Sequence, residues 1–89
     1  MLSVDVDALE FLAARLEDGE LGEGVGLRLV TDGAGYELVP DHGRSHDRVF
    51  DVEGRPVLFV DPKISERVDG RVLEIESGTL KLGWTKKED

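Results

Sequence analysis

The sequence contains no cysteine. That excludes disulfides, thiolate catalysis and any zinc or iron–sulfur site built from the thiolates of a single chain. Positive charge is also scarce, with 11 Lys and Arg against 20 Asp and Glu, a formal net charge of −9. Such a chain is repelled by phosphate backbones and anionic lipid, so neither nucleic acid nor membrane is an expected partner. No apolar run approaches the roughly 20 residues that a membrane-spanning helix needs. The opening stretch, MLSVDVDALEFLAARLEDGE, carries acids where a secretory signal carries basic residues, so the expected location is the cytoplasm. Histidine is limited to two residues, and aromatic residues make up only 6%.

What is present fits a single small domain over residues 1–89. Hydrophobic residues make up 39% and charged residues 35%, a balance typical of globular chains rather than disordered ones. A chain of this size buries only about 60% of its unfolded surface, leaving little room for both a core and a deep catalytic cleft.

Hydrophobic spacing predicts a helix over VDVDALEFLAARLEDG, with Val6, Leu9, Ala13 and Leu16 on one face and Leu12 beside them. Asp5 or Asp7 is placed to cap its start, and Asp7 with Glu10 has capping-box spacing. Gly19 is expected to end it in a left-handed conformation. From Val25 the period becomes two. VGLRLV reads as a strand with one buried face, and YELV as a second strand stopped by Pro40. RVFDV, RPVLFV, VLEIES and TLKLGW follow as further strands, and KISERV is a short helical turn with Pro62 at its first position. Pro56 implies an edge strand or a strand start. TKKED, residues 85–89, reads as a frayed tail. The sum is an α+β domain with an N-terminal helix, about six short strands and one short helical turn.

The order of these pieces resembles the A-type iron–sulfur carrier family, the HesB/IscA-like domains. The stretch RVFDVEGRPVLFVDPKISERVDGRVLEI carries most of the resemblance, through Phe50, Gly54, Val57 to Val60, Asp61, Pro62 and Gly70. The likeness runs from about Asp5 to Trp84, and it implies a small strand-rich HesB-like domain. The family places a cysteine in a Cys-x-Gly-aromatic turn. In TDGAGYEL, Gly35 and Tyr36 match the glycine and the aromatic, Ala34 takes the variable position, and the cysteine position falls at Gly33. The family's Cys-x-Cys pair after the last strand has no counterpart either. All three thiolate ligands implied by the resemblance are therefore missing, and glycine and alanine supply no replacement. No cofactor is expected. The resemblance implies an accessory or protein-interaction role near iron–sulfur assembly, with an unidentified protein partner and homodimerisation through strand edges as options. Read without the family, TDGAGYEL is a hairpin turn whose glycines supply unusual backbone angles.

The other suggestive cluster is DHGRSHD, where His42 and His46 lie four apart between Asp41 and Asp47. Imidazole and carboxylate suit zinc, nickel or iron(II), so a metal-binding loop is the alternative function. The plainer reading is a solvated surface loop. Ser45 sits in the same loop as both histidines, which is not how a catalytic triad is assembled from separate segments. Glu74 and Glu76 share one strand face and are expected to face solvent. GEGVG, residues 22–26, lacks the strand-then-helix context of a phosphate loop, and Glu23 would repel phosphate. Tyr36 and Trp84 read as core residues or interface anchors. No nucleophile, base and orienting group come together, so an enzyme is not expected.

Overall fold

The computed structural model describes residues 2–19 and 24–84, and the predicted tail at 85–89 lies outside them. The chain runs β1 (Ser3–Val4), α1 (Val6–Asp18), β2 (Val25–Thr31), β3 (Tyr36–His42), β4 (Arg48–Val52), β5 (Arg55–Val60), α2 (Pro62–Arg67), β6 (Arg71–Glu76) and β7 (Thr79–Trp84). One sheet has the order β3-β2-β5-β4 and the other β1-β6-β7. In the first, the antiparallel hairpins β2–β3 and β4–β5 are joined by a parallel β2–β5 pairing. In the second, β1 runs parallel to β6, and β6–β7 is a hairpin. The α+β class, the N-terminal helix and the strand-rich body are as the sequence predicts. The two-residue β1 is an addition.

Helix α1 lies against strands of both sheets. Its fully buried stripe is Ala8, Leu12 and Leu16, whereas Val6 is 69% exposed. The predicted face is therefore rotated. The chain enters the helix directly from β1, where the Asp5 amide donates to the Leu73 carbonyl at 3.0 Å. That entry sets which stripe points inward, and Leu2, fully buried, fills the space beside it. The stripe meets Leu27 and Leu29 of β2, Leu58 and Val60 of β5, Ile64 and Val68 around α2, and Leu73 of β6. Burying one such side chain contributes roughly 1.5–3 kcal/mol.

The predicted helix ends also need correction. Asp5 is the N-cap, but its side chain makes no capping bond, and no Asp7–Glu10 capping box starts the helix. Gly19 closes α1 with a right-handed φ of −79°, its amide donating to the Arg15 carbonyl. Helix α2 follows expectation: Pro62 opens it, and Asp61 Oδ1 accepts from the Ile64 amide at 2.9 Å. Pro40 does not stop β3, which continues to His42. This is an edge strand, so a missing N–H breaks no second ladder. Pro56 lies near the start of β5, where the register with β4 shifts between Phe50 and Asp51.

Strand β2 departs furthest from its prediction, because Gly26, Leu27, Arg28 and Leu29 are all buried. Its outer face is covered too. A Cβ on Gly26 would lie 2.9 Å from the Phe59 ring and 3.1 Å from the Val57 carbonyl oxygen. Gly43 makes a similar approach, 3.0 Å from the same ring. The two missing side chains make room for Phe59, which is 2% exposed.

Candidate functional site

Residues 32–35 connect β2 to β3 beyond the last strand pair, Thr31 opposite Tyr36. The turn is closed by its own side chains. Thr31 Oγ1 accepts from the Gly33 amide at 3.1 Å and donates to the Gly35 carbonyl at 2.6 Å. Asp32 Oδ1 accepts from the Ala34 and Gly35 amides at 2.9 and 3.1 Å. Those two donors, Ala34 first, hold the Asp32 carboxyl below its ordinary range. Gly33 has φ +95°, which L side chains rarely adopt. A Cβ at Gly33 or Gly35 would meet nothing within 4 Å. The four residues Gly33, Ala34, Gly35 and Tyr36 thus form an exposed hairpin end that presents backbone and one phenol.

The Asp41–Asp47 segment is organised by Arg28, which alternates with Leu27 and Leu29 in VGLRLV and so falls on the face opposite the predicted buried one. Arg28 is 4% exposed. Its Nε donates to Asp41 Oδ2 at 2.7 Å. Nη1 and Nη2 donate to the two carboxylate oxygens of Asp47 at 2.9 and 2.6 Å, and Nη2 also reaches the His42 carbonyl at 3.0 Å. The guanidinium lies 5.8 Å from the centre of the Phe59 ring. Asp47 additionally accepts from the Arg44 amide at 2.7 Å, which closes the turn over residues 44–47. The Arg28 hydrogen bonds, ahead of all other influences, pull both carboxyls below the ordinary aspartate range, and Asp47 in turn raises the Arg28 pKa.

This arrangement bears directly on the metal-loop alternative. Asp41 and Asp47 face a guanidinium, while His42 and His46 are exposed. Among the described residues no group of three or more His, Cys, Asp or Glu is placed to hold a metal ion. The signal for this buried clasp was one cation in the otherwise apolar run VGLRLV, with two aspartates downstream. The remaining proposals settle simply. Gly24 precedes strand β2 and Gly26 lies within it, so no helix follows, and Gly22 and Glu23 lie outside the described residues. Glu76 faces solvent and pairs with Lys81 at 3.0 Å. Tyr36 is 37% exposed, not a core residue. Trp84 ends β7, and its side chain lies outside the described set.

A cavity of about 490 Å³ opens between the two sheets beside α1. Leucines of β2, β3, β6 and β7 supply its apolar wall, and Phe11, Arg15, Glu37 and Lys81 supply ring and charge. Tyr36 borders both this cavity and a smaller one of about 180 Å³ at the hairpin turn. The turn therefore stands beside this concavity. Nothing in the sequence signalled this, because the lining comes from five separate elements. No helix among the described residues is long and apolar enough to cross a membrane.

No family model matches the sequence, and no curated protein matches it. Among solved structures the chain is similar to Escherichia coli SufA, a protein involved in the biosynthesis of iron–sulfur clusters. The TM-score is 0.64 at 21% sequence identity, over 94% of this chain and 83% of SufA. The chain shares the fold of SufA, in agreement with the resemblance to the A-type carriers.

Proposed function

We propose that this chain is a non-catalytic domain of the A-type carrier fold that works without cluster ligands. It acts in the cytoplasm as an accessory protein that binds another protein, in the service of iron–sulfur assembly. The observation that carries this reading is the hairpin turn. Within a SufA-like fold, the position where the family resemblance places a thiol is Gly33, in a turn whose polar groups are satisfied by Thr31 and Asp32. Glycine and alanine offer no side-chain donor to iron, and the sequence has no cysteine elsewhere to substitute. The link to iron–sulfur assembly rests on the fold it shares with SufA.

Two measurements test the two halves. Iron and acid-labile sulfide are quantified on tag-free protein, as isolated and after anaerobic reconstitution, with the visible spectrum recorded alongside. Both elements should stay far below one per chain, with no cluster absorption. Stoichiometric iron and sulfide would overturn the ligand-free reading. Affinity enrichment from the native host should then recover iron–sulfur assembly proteins above an unrelated acidic control. Equal recovery would remove the link to assembly.

A further inference from the structure

We propose that the cavity between the two sheets is a docking groove for an extended peptide segment of a partner protein, which pairs as an added strand. This rests on the reading of the chain as a protein-binding domain and names its surface. The argument begins with which residues line the cavity. Side chains alternate across a strand, so a cavity against a sheet face is lined by every second residue. Strand β2, inside its sheet, behaves this way and contributes Leu27 and Leu29. Strands β3 and β7 do not. They contribute the consecutive residues 36–38 and 79–82. Consecutive lining means that the cavity runs along the rim of each strand, where backbone N–H and C=O groups point outward. Both are edge strands of their sheets, with no second strand partner among the described residues.

Two strand edges flanking a leucine floor are the elements of strand addition; on β7 the Leu82 carbonyl already accepts from Arg71 Nη2 at 2.7 Å and is not one of the open groups. Backbone hydrogen bonds supply affinity, and pockets for alternate side chains supply selectivity. About five extended residues span ~16 Å, which matches the length of a short strand. Charge narrows the occupant further. Arg15, exposed in the last turn of α1, lies 5.8 Å from the centre of the Phe11 ring and is in no ion pair among the described residues. Both side chains border the cavity, where Lys81 is already paired with Glu76 at 3.0 Å and Glu37 is the lining acid, so Arg15 is the cation left for a ligand. In a chain of charge −9, this is a local place for a carboxylate. The occupant is an extended segment with apolar residues at alternate positions and a single acid directed at Arg15. A multiply acidic segment would be repelled by the rest of the molecule.

The test uses the full chain and a displayed library of random peptides of about eight residues, a common strand length. Enriched peptides are synthesised and titrated into isotopically labelled protein. They should carry alternate apolar residues around one acid, and should shift and protect the backbone amides of residues 36–38 and 79–82. N-methylation of the peptide at alternate backbone nitrogens should weaken binding at least about tenfold, since it removes strand donors without changing side chains. The exposed substitution Arg15→Glu should weaken acid-bearing peptides by a similar factor while leaving the folded spectrum intact. Absence of enrichment overturns the proposal, as does binding that maps elsewhere or ignores N-methylation. Concentration-dependent shifts at the same amides without peptide would assign the groove to a second copy, and would also overturn it. If Arg15→Glu leaves enrichment of assembly proteins unchanged, the groove is wrong but the accessory role stands. Loss of all enrichment in the unaltered chain tells against the accessory role itself.

Discussion

Arg28 is the residue whose removal the fold would feel most distinctly. A guanidinium at 4% exposure is stable only because its donors are taken up, and Asp47, with a side chain 1% exposed, is its bidentate partner. Breaking one side of such a pair strands the other charge without water, which typically costs 3–5 kcal/mol. Asp47→Asn keeps the shape and deletes the charge, so it should lower the unfolding free energy by about 3 kcal/mol in urea denaturation. Asp41→Asn should cost clearly less, because the Asp41 side chain is 28% exposed and water can replace the lost partner. Equal effects of the two would show that burial does not govern the clasp. The sequence marks Arg28 as a lone cation in an apolar run but does not reveal which groups it pairs with. Arg28 sits at a position that strand alternation assigns to solvent, and its partners lie 13 and 19 residues away.

At the scale of elements, the periodic signals were readable and the special contacts were not. Every predicted strand and both helices exist, because alternation and three-to-four spacing follow from backbone geometry alone. The inward face of α1 was misread because it depends on β1, a two-residue pairing too short to leave a pattern. The role of Gly26 was equally hidden. Its absent side chain is the seat of Phe59, and only the parallel β2–β5 pairing brings the two together. Gly26→Ala must displace either the ring or the Val57 backbone, at a cost of about 1–3 kcal/mol. Gly35→Ala, which meets open space without a left-handed φ, should change stability by no more than about 0.5 kcal/mol. Thermal unfolding of the two variants checks the contrast, and a neutral Gly26→Ala would mean the sheet yields there freely. The candidate turn was legible as a turn from TDGAGYEL itself, whereas its closure by Thr31 and Asp32 required the hairpin register.

For the molecule as a whole, acid is the condition that separates this clasp from the apolar core. The carboxyls of Asp41 and Asp47 titrate lower in the folded chain than in the unfolded one, chiefly through Arg28. A group depressed on folding contributes fully above its unfolded pKa, about 3.9, and loses that contribution as pH falls through the folded value. The stability difference between the wild type and Asp47→Asn should therefore be constant near neutral pH and shrink below about pH 4. Denaturation curves across that range measure it, and a difference that grew on acidification would contradict the assignment. The SufA-like architecture was accessible from the order of the pieces, since glycine turns and apolar strands carry their own signatures. The groove was not, because its lining comes from α1, β2, β3, β6 and β7.

The same clasp has one more consequence in a chain without a single thiol. It ties β2 to a distant loop, as a disulfide would, but holds nothing in the unfolded state. Thiol reductants cannot loosen it, and no oxidant or isomerase is needed to restore it after unfolding. The cross-link is redrawn each time the chain folds, and its durability is set by proton and salt concentration rather than by the redox poise of its surroundings.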